Sequence, residues 1–127
     1  MITPLLHALL VAMGVARVLI GIAPLLAPSF SSRLLAFPTA HDNATARLMG
    51  RLFGVRDVGL GLLVFYALGH VELLPAMCVF QAMMDGGDLL SIMVPLVRRQ
   101  GIDRAAWLSA GFALVGGASW LVVLAAM

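Results

Sequence analysis

Four apolar stretches, each at least about 20 residues long, fill nearly the whole of this 127-residue chain, and they restrict its fold more than any motif in it. A helix of about 20 apolar residues crosses the roughly 30 Å hydrocarbon core of a bilayer. Inside that core, helices and closed barrels are the backbone arrangements that satisfy every peptide group. The stretches predict helices over about 4–26, 44–68, 73–97 and 105–126. The expected fold class is all-α, an integral membrane four-helix bundle in a single domain spanning 1–127. Hydrophobic residues make up 62% of the chain, against roughly 45–50% for soluble domains, so no stretch is left over for a soluble domain.

Eight Arg and no Lys stand against six Asp and Glu, and their distribution argues against nucleic acid, which calls for basic residues clustered on a solvated face. Arg33 and Arg47 flank the first connection and Arg98, Arg99 and Arg104 the third, whereas the second offers only His70 and Glu72. The positive-inside tendency therefore puts connections one and three in the cytoplasm and both termini on the non-cytoplasmic side. A multi-pass protein of the bacterial inner (plasma) membrane is the expectation. Its first helix is expected to be retained, because the start lacks a basic n-region and Arg17 interrupts the apolar run. The lone Cys78 sits mid-segment and reads as a small hydrophobe.

What remains to be explained is charge inside apolar segments. The second segment carries Arg51, Arg56 and Asp57 in the Gly-rich run from Arg47 to Gly61. A central charge costs about 2.5–3.5 kcal/mol on an insertion scale and a large apolar residue returns only about 0.3–0.6. The segment barely breaks even, so neighbouring helices must match its charges. In the third segment Gln81, Asp85 and Asp88 recur at i, i+4 and i+7 and share one face. In the first, Arg17 lies on the side that holds His7, Gly14 and Gly21, of which the two glycines favour close helix packing.

At 1.5 Å per residue these groups fall at a common depth, with Arg17, Arg51 and Arg56 facing Asp57, Asp85 and Asp88. Because adjacent helical residues diverge by about 100°, Arg56 and Asp57 serve different neighbours. Gly50, Gly54 and Gly61 fall near the Asp57 side, where they leave space for a helix or a ligand. Intramembrane ionisable residues are functional candidates by default. The expected catalytic groups are Asp57, Asp85, Asp88 and Arg56, and the expected substrate contacts are Arg17, Arg51, Gln81 and Gly54.

Carboxylates held against guanidinium groups can split into one acid and one ionised base, the basis of acid/base chemistry. The expected function is to bind or transform a lipophilic small molecule by opening an epoxide, hydrating it or isomerising it. That Asp/Arg logic resembles limonene-epoxide-hydrolase-type enzymes in chemistry only, since their fold is soluble and no motif matches. The alternative is a non-catalytic accessory or assembly subunit of a larger membrane complex, in which the same charges clasp the helices. No cofactor is expected, and no metal, since His7, His41 and His70 are dispersed. The bilayer is the expected partner, with a second copy or another membrane protein as further candidates.

Phe53-Gly54-Val55-Arg56-Asp57-Val58-Gly59-Leu60-Gly61 resembles a family of small four-helix membrane proteins of unknown function, marked by a Gly-x-Arg-Asp run and a later intramembrane Asp. The resemblance covers segments two and three through Gly54, Arg56, Asp57 and one of Asp85 or Asp88. It implies an architecture and no activity.

Overall fold

A computed structural model describes residues 2–127. Among them are five α-helices, two 3₁₀ turns and no strand: α1 (Pro4–Leu26), α2 (Pro28–Leu34), α3 (Ala44–Leu68), α4 (Leu74–Val97) and α5 (Asp103–Ala125), with the turns at Thr39–His41 and Val71–Leu73. Local chemistry sets the helix starts. Thr3 Oγ1 accepts from the Leu6 amide at 3.2 Å with Pro4 in the first turn, and Asn43 Oδ1 accepts from the Ala46 amide at 2.9 Å, each covering an amide that the helix leaves free. α4 begins one residue after the expected position 73 because the 3₁₀ turn ends there. α5 begins at Asp103, whose charge suits the positive helix end.

The first connection holds a helix as well as a loop. α2 ends with Ala36 left-handed at φ 62°, so that the Ala36 amide reaches the Arg33 carbonyl at 3.0 Å and the Phe37 amide reaches Ser32 at 2.9 Å. α4 closes in the same way around Arg99 at φ 51°, with the Gln100 amide on the Pro95 carbonyl at 3.0 Å.

Two glycine pairs, each spaced seven apart, bring α1 and α3 together. A Cβ on Gly21 would lie 2.6 Å from the Gly54 carbonyl oxygen, and one on Gly54 would lie 2.5 Å from the Gly21 carbonyl oxygen. Further along, a Cβ on Gly61 would come within 3.0 Å of the Gly14 carbonyl oxygen. Gly14 therefore opposes Gly61 and Gly21 opposes Gly54, an antiparallel pair in near backbone contact, as small-residue faces allow. Arg17 and Asp57 each stand three residues after the first glycine of their pair, which puts them on the same seam.

α4 packs along α5, and the four long helices share an apolar core at one end only: Leu6 and Leu10 of α1, Val64 and Ala67 of α3, Leu74, Met77 and Cys78 of α4, Trp120 and Val123 of α5. Buried residues of α3 begin at Gly54 and those of α4 stop at Asp85. The half of the molecule carrying the first and third connections is thus held mainly within the pairs α1/α3 and α4/α5. Three helical segments, Pro4–Leu26, Val71–Val97 and Asp103–Ala125, are long and apolar enough to cross a membrane. α3 is as long, at 25 residues, but it carries Arg47, Arg51, Arg56 and Asp57 and is not among them.

Candidate functional site

The buried charges meet where the shared core ends. Arg17, on the glycine seam of α1, reaches across to α4, its Nη1 and Nη2 donating to Asp85 Oδ2 and Oδ1 at 3.0 and 2.9 Å. This two-point fork is the strong geometry for a guanidinium and a carboxylate. Both residues are more than nine-tenths buried. Arg56 makes a second fork from α3 to Asp88 of α4, at 2.8 and 2.6 Å, and its guanidinium lies over the Phe53 ring at 4.8 Å, a favourable cation–π placement. This pair is only partly buried and forms the outer edge of the cluster.

Asp57 lies between the forks. Its Oδ1 accepts from Arg56 Nη2 at 3.2 Å and stands 3.6 Å from Arg17 Nη2. It is the one buried carboxylate here that no guanidinium grips at two points. Gln81, fully buried, donates from Nε2 to the Leu60 carbonyl at 2.7 Å and leaves Oε1 without a partner, as are Nε of Arg17 and of Arg56. The cluster ties α1 and α3 to α4.

Two expected site residues lie elsewhere. Arg51 is exposed and, among the described residues, has no carboxylate within 4.0 Å. It stands six positions before Asp57, which turns it about 120° away around α3. α1 also ends near it, since Pro28, just past that end, packs at Gly50. The cluster therefore holds two guanidinium groups and three carboxyl groups, one carboxyl more than the arginines can pair. Gly54 likewise offers no ligand space, because the backbone of α1 fills it. His7, expected on the seam of α1, is exposed.

Asp85 also has a face toward α5, where Ser109, Ala113 and Gly117 repeat every four residues as a small-residue packing face; the acid against it is not legible in α5 itself. A Cβ on Gly116 would lie 2.8 Å from Asp85 Oδ2, and one on Gly117 would lie 3.4 Å from Asp85 Cβ. A groove of about 220 Å³ between α4 and α5 is lined by Ala82, Asp85, Gly86, Leu89, Ala113 and Gly117, among others, and Asp85 is its sole charged group. Gly116, next to Gly117, is the addition the structure makes to that face, because only the partner helix shows that an acid lies against it.

The family described as "Domain of unknown function (DUF4267)" matches residues 14–126. The chain belongs to that family. The DUF4267 match takes in Arg17, Arg56, Asp57, Asp85 and Asp88, and so contains the whole buried cluster. No curated protein and no solved structure matches the chain.

Proposed function

We propose that this DUF4267 protein is a four-span membrane protein that binds a lipophilic small molecule in the groove between α4 and α5, with the polar end of the ligand at Asp85. The reading rests on one observation: an apolar groove whose only charged lining residue belongs to the buried Arg/Asp cluster. In this reading α3 crosses as well, its charges matched by Arg17 from α1 and by Asp85 and Asp88 from α4. Connections one and three face the cytoplasm, both termini lie on the other side, and the location is a bacterial inner membrane.

Asp85 lines the groove, and the cluster has one carboxyl more than its guanidinium groups, which supports a ligand head that donates to a carboxylate. A cationic or hydrogen-bond-donating head, an amine or a hydroxyl, supplies what two guanidinium groups do not, and an apolar body suits walls of Ala, Gly and Leu. Turnover by epoxide opening, hydration or isomerisation needs a carboxylate free to exchange a proton. Asp57, held at one oxygen, fits that role better than Asp85 or Asp88. Arg17 and Arg56 are then electrostatic partners, and Gln81 fixes the approach of α4 to α3.

The test is mass spectrometry of small molecules retained by the purified protein, set beside Ala113→Phe, which fills the groove, and Asp85→Asn, which keeps the shape and removes the charge. A defined amine or alcohol present in the parent protein and lost from both variants supports the reading; the same retained set in all three proteins refutes it. The two interhelical forks favour a second reading, an accessory subunit whose charges only clasp the helices. A stoichiometric partner protein with no bound small molecule would decide for it.

A further inference from the structure

Arg51 is the charged residue of α3 that no carboxylate matches among the described residues, and its surroundings point to what matches it. α1 ends at Leu26, and the Pro28 that opens α2 packs at Gly50. Residues 44–49 of α3 are all exposed, extending beyond the end of α1. Beside them α2 exposes Phe30 and Leu34 with Arg33 between, the composition of a short helix lying in a membrane interface. Arg51 is therefore at the boundary of the hydrocarbon, one residue inside the level of Gly50.

Six of the eight arginines, Arg33, Arg47, Arg51, Arg98, Arg99 and Arg104, lie at this end of the molecule, against Asp42 and Asp103. Of these six only Arg47 is paired among the described residues, with Asp42 at 2.8 Å. Around Arg51 the exposed side chains of α3 are Arg47, one turn away, and Leu48, Leu52 and Val55, the last three a surface for acyl chains. A partner protein would have to bring an acid to this depth; a phospholipid carries its phosphate there already.

We infer that Arg51 holds the headgroup phosphate of an anionic phospholipid, whose acyl chain lies along Leu48, Leu52 and Val55, within the field of the other arginines at that end. Long basic side chains near helix ends reach the interface in this way, and juxtamembrane arginines draw anionic lipid. The inference rests on the membrane placement of the helices and is independent of the groove between α4 and α5.

Native mass spectrometry of the protein in neutral detergent, titrated with phosphatidylglycerol or phosphatidylcholine, tests it. The expected result is a preference for phosphatidylglycerol that falls about fivefold in Arg51→Gln, the fold-change equivalent to about 1 kcal/mol for one basic residue at an anionic surface. Arg51→Lys should keep most of it, and Ala113→Phe all of it. Because Arg51 contacts no carboxylate, Arg51→Gln should melt like the parent in neutral detergent, and Arg51→Lys carries the comparison if it does not. Equal affinity for the two lipids, an unchanged preference in Arg51→Gln, or a stoichiometric partner protein lost on Arg51→Gln would overturn the inference.

Discussion

Replacing Arg17 by Met gives the most direct test of what the buried cluster does. Arg17 is 8% exposed and grips both oxygens of Asp85, itself 6% exposed. Removing the guanidinium leaves a buried carboxylate without its counter-charge, an error that costs about 3–5 kcal/mol. Asp57, 3.6 Å from Arg17, then has only Arg56 and adds to the loss. Asp85→Leu strands Arg17 in turn, with Asp57 as partial compensation, and should cost less. Replacing a buried pair by apolar residues of similar volume is often neutral or stabilising, so Arg17→Met with Asp85→Leu should recover most of the loss. The coupling in this double-mutant cycle is expected at about 3 kcal/mol. Unfolding in dodecyl sulfate, followed by circular dichroism and tryptophan emission, measures it. A cost for Arg17→Met below about 1 kcal/mol, or a double variant as unstable as the sum of the singles, would refute the pairing as a source of stability. The same double variant separates clasp from site, since under the ligand reading it refolds but retains no small molecule.

Other positions give sharper contrasts. Gly54→Ala, whose Cβ would meet the Gly21 carbonyl oxygen at 2.5 Å, should cost about 1–3 kcal/mol by forcing α1 and α3 apart; Gly59→Ala, with nothing within 4 Å, should be neutral or stabilising by up to about 1 kcal/mol in the same titration. Ala36→Gly relieves the left-handed backbone at φ 62° and should stabilise by about 1 kcal/mol, seen as a raised midpoint; a lowered midpoint would remove strain from the account of that helix end. The Ser29 hydroxyl, then the Arg47 guanidinium, hold Asp42 below its ordinary value of 3.8. A depressed carboxylate contributes stability that is present above that value and is lost as pH falls through the lower folded one. Hydrogen-exchange protection across residues 28–43, corrected for intrinsic rates, should therefore hold at pH 6 and drop only below about 3.8. Asp42→Asn should abolish that dependence, and an equal acid response in the variant would assign it to other groups.

Much of this molecule can be read without coordinates because long apolar runs leave a chain few options. Apolar length and the need to satisfy every peptide group define the helices, and the i, i+4, i+7 spacing of Gln81, Asp85 and Asp88 puts them on one face. Gly14 and Gly21, like Gly54 and Gly61, mark close-packing faces by composition alone.

Which groups meet is a different matter, since it depends on where one helix ends against another. Depth counted along α3 alone put Arg51 in the cluster, yet Pro28, just past the end of α1, lies at Gly50 and leaves Arg51 outside. Gly54 left room for a helix or a ligand, and the backbone of α1 at Gly21 takes it. Asp85 rather than Asp57 takes the fork from Arg17 because the seam glycines draw α1 onto α3 and aim Arg17 past it toward α4. The sequence by itself determined the helices and the presence of buried Arg and Asp among them, through periodicity and solvation. Only the tertiary structure decided the pairing, the surplus carboxylate and the groove at Asp85, because each depends on distances between helices that no single helix encodes.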